Sequence, residues 1–294
     1  MKTKILFLKK IIIRYHFWII GLLGVLVSSC NTRYRIWVGE KKEQKIFNLP
    51  YGEDKKQVMD VFLPSNYHTE IPPVLIIHGG GWKFGNKEHM IMIQKFLHQN
   101  DIVTININYR LLQKNRNYQD QLQDIGLAIR KFNEMVPQTK LKPNNYILLG
   151  ESAGAHLALL YGYRNPTEIR KIISMSGPTD FYSPTFLKHF YSRYASPIFE
   201  EVVGEKFDRK NISKKFVEAS PIANVTNVPT LLFQGDTDFL VNKNQAFVLD
   251  SVLTEKGIDH QLVYMKNSGH TPRFFSKKKR DSLIFPKILD FVKN

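Results

Sequence analysis

The sequence predicts an α/β fold: a mainly parallel twisted sheet, helices on both faces, and a cap inserted above it. Three observations carry this. Short apolar runs alternate with longer amphipathic ones along most of the 294 residues, the order that strands and helices take in a parallel sheet. The composition, 43% hydrophobic and 23% charged, is that of a globular chain and excludes a disordered or fibrous one. Between about 179 and 220 the alternation breaks in a stretch rich in aromatic and basic residues, with Pro184 and Pro197; this reads as the cap. Nothing inside residues 45–294 has the composition of a linker, so one core domain is expected there.

The elements justify themselves in chain order. Lys2, Lys4, Lys9, Lys10 and Arg14 precede the apolar run from Phe17 to Val27. That run is too short to span a bilayer, which takes about 20 residues, and it fits the apolar region of a secretory signal over residues 1–29. It ends in Val27-Ser28-Ser29-Cys30, a tetrad that resembles the lipobox of bacterial lipoproteins. The resemblance implies that Cys30 is acylated, anchoring the chain to a membrane of the bacterial cell envelope. Cys30 is the only cysteine, so no internal disulfide competes with that reading. Residues 30–44 are polar enough to serve as a tether.

Lys45 to Leu49 and Gln57 to Leu63 then read as an antiparallel hairpin turning at Tyr51-Gly52-Glu53-Asp54. Buried strands follow at Pro73 to Ile77, Ile102 to Ile107, Tyr146 to Leu149, Lys171 to Met175, Pro229 to Phe233 and Gln261 to Met265. Helical patterns separate them at Lys87 to Gln99, Tyr118 to Met135, Ala153 to Tyr163, Asn242 to Glu255 and Asp281 to Val292. In the second of these Leu122, Ile125, Ile129 and Phe132 recur every three or four residues, which buries one helix face. The net charge of +16 reads as solvated surface. Apart from Lys277 to Arg280 the basic residues are scattered, and no zinc-finger spacing, aromatic RNA-binding signature or basic zipper points to a nucleic-acid partner.

The chemistry is concentrated in four short motifs. Gly150-Glu151-Ser152-Ala153-Gly154 follows a strand and opens a helix of small residues, the setting in which Gly-x-Ser-x-Gly presents a nucleophile on a sharp, strained turn. His78-Gly79-Gly80-Gly81-Trp82 follows another strand, and its glycines let main-chain N–H groups approach a developing oxyanion. Gly80, Gly81 and Ala153 are the expected oxyanion donors. His78 is expected to brace this loop, and Trp82 to line the acyl pocket or simply to pack. A serine nucleophile needs a base oriented by a carboxylate. His270, in Asn267-Ser268-Gly269-His270 after the last strand, is the candidate base. Asp236 and Asp238 both follow the strand Pro229 to Phe233, and Asp238 is favoured because Asp236 hugs the strand end.

These motifs, in this order, resemble the α/β-hydrolase superfamily, in particular the serine carboxylesterase branch that includes hormone-sensitive-lipase-like and bacterial carbohydrate esterases. Asn108-Tyr109-Arg110-Leu111, Asp124 and Ala219-Ser220-Pro221-Ile222 extend the likeness, which covers about residues 45 to 294. Asn108, Gln119 and Ala155 depart from the residues common there, none of them among the three expected catalytic groups. The resemblance implies that Ser152, His270 and Asp238 cleave esters of short acyl groups through an acyl-enzyme, with no metal or organic cofactor. The substrate is expected to be a small-molecule or polysaccharide ester, and envelope placement, where acetylated or feruloylated polysaccharides are accessible, favours a carbohydrate esterase. Amide hydrolysis of a formyl group, as in kynurenine formamidases, is the neighbouring alternative, and a non-catalytic glycan-binding protein on the same fold is another. Phe181, Tyr182, Phe186, Phe190, Tyr191, Tyr194 and Phe199 in the cap are expected mainly to pack.

Overall fold

A computed structural model describes residues 35–39, 43–138, 141–142 and 145–294. The expected leader and Cys30 lie outside the described residues. The strands are β1 (Arg35–Val38), β2 (Gln44–Pro50), β3 (Val58–Leu63), β4 (Val74–Ile77), β5 (Thr104–Ile107), β6 (Tyr146–Glu151), β7 (Ile169–Met175), β8 (Thr230–Gly235) and β9 (His260–Met265). The helices are α1 (Ile91–Gln99), α2 (Tyr118–Asn133), α3 (Ala153–Arg164), α4 (Pro184–Lys188), α5 (Tyr191–Val203), α6 (Lys214–Glu218), α7 (Pro221–Asn224), α8 (Asn244–Glu255), α9 (Pro272–Phe275), α10 (Lys277–Lys279) and α11 (Phe285–Lys293).

One nine-stranded sheet runs in the order β1-β2-β3-β5-β4-β6-β7-β8-β9. The first four pair antiparallel and β5 through β9 pair parallel, as expected of the hairpin and the alternating segments. Strands β4 and β6, at the centre of the parallel part, are near-continuous apolar runs because both faces are covered, whereas β9 at the edge is only partly buried. Along β4, Val74 and Ile76 join the core that contains Ile93 and Leu97 of α1 and Ile288 and Val292 of α11, while Leu75 and Ile77 join the core that contains Ile125 of α2, Leu157 of α3 and Leu249 of α8. The two-residue period of the strand thus distributes one tetrapeptide between two layers.

Within the stretch expected to be a polar tether, residues 35–38 form an edge strand whose register pairs Arg35 with Phe47 and Val38 with Gln44. Ile36, Trp37 and Val38 have the branched and aromatic side chains that strands favour; all are exposed, so hydrophobic pattern alone gave no buried face to detect. The segment Lys87–Met90 is a 3-10 turn preceding α1, and Arg280–Ile284 is a π-helical turn leading into α11. Helix α2 opens on a capping box: the Asn117 side chain accepts from the Gln119 N–H, and the Asp120 carboxylate accepts from the Asn117 N–H. In the cap stretch, α4, α5 and α6 bury Phe186, Phe199 and Phe216 over Phe181, whereas Phe190 and Tyr194 are largely exposed.

Candidate active site

All the parallel strands point one way, so the loops that leave β4, β6, β8 and β9 meet at one edge of the sheet, where ligands bind in open α/β folds. Each predicted catalytic, oxyanion and pocket residue comes from one of these loops or from the helix behind it.

Ser152 sits between β6 and α3 with φ 55 and ψ −121, a left-handed backbone that costs a non-glycine residue about 1–3 kcal/mol and survives only where neighbours enforce it. The neighbours are close. A Cβ on Gly154 would lie 2.2 Å from the carbonyl oxygen of Ile77, and one on Gly150 would lie 2.2 Å from that of Gly154. Strand β4 and the first turn of α3 can therefore meet only through glycine. Ser152 N–H donates to the Met175 carbonyl at 2.8 Å, which ties the turn to β7. The position before a twelve-residue helix also places the hydroxyl and the Ala153 N–H at the positive end of its dipole.

The Ser152 hydroxyl lies 2.8 Å from His270 Nε2, and His270 Nδ1 lies 2.8 Å from Asp238 Oδ2. With Nδ1–H donating to the carboxylate, Nε2 is left to accept from the serine. Asp238 is 6% exposed; its Oδ1 accepts the N–H groups of Leu240 and Val241, and Gln234 Nε2 donates to Oδ2 at 3.2 Å. Asp236, at the strand end, does not reach His270. Its carboxylate accepts the Ser268 N–H at 3.0 Å and so holds the turn before His270; that backbone hydrogen bond is the main reason its pKa lies below the ordinary carboxylate value.

The loop after β4 takes φ +125 at Gly80, +56 at Gly81 and +62 at Trp82. At Gly80 a side chain would also run into the Phe84 carbonyl, 2.2 Å away. Within this loop Lys83 and Phe84 N–H donate to the Gly80 carbonyl, and the N–H groups of Gly80, Gly81 and Ala153 have no acceptor among the described residues. The loop is braced from below. His78 stacks on Tyr109 with centroids 4.3 Å apart, and the Tyr109 hydroxyl donates to the His78 carbonyl at 2.9 Å. Burial pushes the His78 pKa down to about 4. Arg110 and the buried Asp124 pair at 2.7 Å, and Gln121 donates to the carbonyls of Trp82 and Arg110, so α2 fastens the loop from behind.

Trp82 lines a cavity of about 280 Å³ together with Ser152, Tyr191, Ile198, Phe239 and His270, yet it is 3% exposed and is chiefly a packed residue. Phe181 and Phe199 meet its ring edge-on. Its indole N–H donates to His156 Nδ1 at 3.1 Å, and His156 Nε2–H donates to the Ala219 carbonyl. His156 is wholly buried, which pushes its pKa down to about 4. This bridge links the glycine loop to the turn between α6 and α7, and no sequence motif marks it. Lys83 pairs with Glu201 of α5, and the Tyr191 hydroxyl donates to the Leu240 carbonyl, so α5 is tied to both the glycine loop and the acid loop. A larger cleft, about 830 Å³, lies between β2, β3 and α1; its lining includes the mutually paired Asp60 and Lys87 and His98 paired with Glu43, and neither Ser152 nor His270. Among the described residues no three His, Cys, Asp or Glu side chains gather in metal-binding geometry.

A family model described as BD-FAE matches residues 59–253. Isoprenylcysteine α-carbonyl methylesterase of Arabidopsis thaliana is 23% identical over 250 residues, 79% of this chain and 58% of that protein, so the chain spans just over half the length of this relative. Kynurenine formamidase of Salmo salar is 30% identical over 118 residues, 40% of this chain and 38% of that protein. Among solved structures, a truncated carbohydrate esterase from gut microbiota superposes with a TM-score of 0.70 at 20% identity, covering 87% of this chain and 97% of that one. Esterase B from Lactobacillus rhamnosis gives 0.69 at 18%, covering 95% and 94%. These two are likenesses of fold, the α/β-hydrolase fold.

Proposed function

The chain belongs to the BD-FAE family, and from that premise we propose that it is a serine hydrolase cleaving carboxylic esters of short acyl groups. The observation that carries the proposal is the unbroken hydrogen-bonded run Ser152–His270–Asp238 at 2.8 Å per step, with the Gly80, Gly81 and Ala153 N–H groups unpartnered among the described residues.

The chemistry follows from that arrangement. Ser152 Oγ adds to the ester carbonyl carbon while its proton passes to His270 Nε2. The carbonyl oxygen, now negative, takes hydrogen bonds from Gly80, Gly81 and Ala153, each such donor contributing about 10²–10³ in rate. Asp238 fixes the His270 tautomer and stabilises the imidazolium. Collapse breaks the carbon–oxygen bond to the alcohol, which leaves with the Nε2 proton, and an acyl group remains on Ser152. Water then adds to the acyl carbon as its proton passes to Nε2; expulsion of Ser152 Oγ returns that proton and frees the carboxylic acid.

The cavity, about 280 Å³, sits at the lower edge of the roughly 300–1,000 Å³ of small-molecule sites and is walled largely by aromatic and aliphatic groups. This supports short acyl groups. For the alcohol, acetylated or feruloylated polysaccharide is the reading that goes with an envelope location, and the fold neighbours named as a carbohydrate esterase and an acetyl ester-xyloside hydrolase support it. The match to kynurenine formamidase supports formamide hydrolysis as a second reading. We also propose residues 1–29 as a lipoprotein leader, Cys30 as the lipidated membrane anchor and residues 45–294 as the hydrolase domain. Label from radioactive palmitate that is lost in Cys30→Ala supports the anchor; equal label in both chains refutes it.

The test of function is hydrolysis of p-nitrophenyl acetate, butyrate and octanoate by residues 31–294. Acetate and butyrate are expected to turn over faster than octanoate, and Ser152→Ala to lower the rate by about 10³-fold or more while remaining folded. Equal rates in the two proteins would refute the assignment. Acetate released from acetylated xylan favours the polysaccharide reading, and formate released from an aryl formamide the second one.

A further inference from the structure

The three groups proposed to do chemistry hang from strands that are not neighbours. Ser152 follows β6 and His270 follows β9, with β7 and β8 between them, so their strands lie about 14 Å apart at the spacing of a sheet. The histidine loop must reach back across two strands. Asp236 and Thr237 anchor Ser268, and the Ser176 hydroxyl donates to the His270 carbonyl at 3.0 Å. These contacts tie the loop to β7 and β8, and none of them touches the serine turn.

Besides the hydrogen bond between His270 and Ser152, a second side-chain link joins the two directly. Arg273, three residues after His270, donates through Nε and Nη2 to both carboxylate oxygens of Glu151, the residue immediately before Ser152; the Nη2–Oε1 distance is 2.9 Å. Arg273 is 1% exposed and Glu151 6%. The guanidinium also donates to the His89 carbonyl at 3.1 Å and lies 3.8 Å from the centre of the Phe274 ring. A buried ion pair is weak support for stability, because desolvating two charges offsets much of their attraction. What a two-pronged guanidinium–carboxylate contact supplies is geometry, since it fixes distance and plane together.

We propose that the Glu151–Arg273 pair is a positioning device that sets His270 Nε2 against Ser152 Oγ by fastening the histidine loop to the serine turn. The inference rests on the serine-hydrolase reading above. Neither residue touches substrate; both act through the residues beside them. Misplacement of about 1 Å between reacting groups costs about 10²-fold in rate, so a loosened strap is read in kcat rather than in binding.

The experiment compares Arg273→Lys, Glu151→Gln and the double variant Glu151→Leu/Arg273→Met. The last removes both charges, a replacement often neutral or stabilising for buried pairs. Each is assayed for kcat and KM on p-nitrophenyl butyrate, for thermal midpoint, and for the downfield proton signal of the His270 Nδ1–H bonded to Asp238. The expected result is a double variant that melts near the wild type, with kcat lower by about 10- to 100-fold, KM within about twofold, and the downfield proton shifted or broadened. Arg273→Lys, which keeps the buried cation but loses the fork, is expected between the two. A folded double variant with kcat within about threefold of wild type and an unmoved proton signal overturns the proposal. If the double variant does not fold, Arg273→Lys decides alone, and unchanged kcat in it overturns the proposal equally. A wild type without Ser152-dependent turnover refutes the esterase reading instead, and the proton signal still reports whether the strap holds His270.

Discussion

Two imidazoles near Ser152 are held neutral by burial, and they make the protein's stability depend on pH. His78 and His156 each have a pKa near 4 in the fold against an ordinary 6.5. Between those values the unfolded chain binds protons that the folded chain refuses, so stability is full above about pH 6.5 and falls as pH drops toward 4, by about 1.4 kcal/mol per pH unit for each ring. Thermal unfolding of Ser152→Ala at pH 7, 6 and 5 is expected to show the midpoint falling steadily, and His156→Gln is expected to flatten the slope while lowering the midpoint at pH 7. A midpoint independent of pH over that range contradicts the buried-neutral assignment. At this scale the sequence was legible where a motif dictates a backbone. Gly-x-Ser-x-Gly and the triple glycine mark the sites where an added Cβ would lie 2.2 Å from a neighbouring main-chain oxygen. It was silent on partners far apart in the chain: Glu151 and Arg273 are 122 residues apart, and His156 meets Trp82 and Ala219 across 74 and 63. The only available hint was an acid beside the serine and a base three residues past the histidine.

Among the elements, β4, β6 and α3 form the frame that fixes the serine turn. Because a methyl group at position 154 would strike the carbonyl oxygens of Ile77 and His78 at 2.2 and 2.5 Å, Gly154→Ala is expected to push α3 off β4. The expected cost is about 1–3 kcal/mol of overpacking, with a loss of ester turnover larger than the loss of folded protein. Denaturant unfolding together with a p-nitrophenyl acetate assay checks this, and turnover that falls only in step with the folded fraction contradicts it. The central parallel strands and their helices were readable because burial on both faces leaves near-continuous apolar runs, as in β4 and β6, and because α2 repeats Leu122, Ile125, Ile129 and Phe132 at helical spacing. Strand β1 was not readable, since all four of its residues are exposed and its order comes from pairing with β2. The 3-10 turn before α1 and the π turn before α11 were merged into their helices because the hydrophobic period scarcely changes across them.

For the whole molecule, the sheet separates a framework edge from a working edge. Strand β1 stands five places from β6 in the sheet order, about 24 Å at the usual strand spacing. A chain beginning at Glu43 is therefore expected to keep kcat within about twofold while melting a few degrees lower, about 2–4 °C for each kcal/mol lost in a domain of this size. A large drop in kcat would mean that the edge strand reaches the site through the sheet. The central claim is that Ser152 is the nucleophile, and titration with diethyl p-nitrophenyl phosphate followed by peptide mass spectrometry tests it most directly. One p-nitrophenolate released per chain, the diethylphosphoryl group on the Ser152 peptide, and ester turnover lost in proportion are expected. Ester turnover that survives full labelling, or a label on another residue that abolishes it, would rule out Ser152 as the nucleophile.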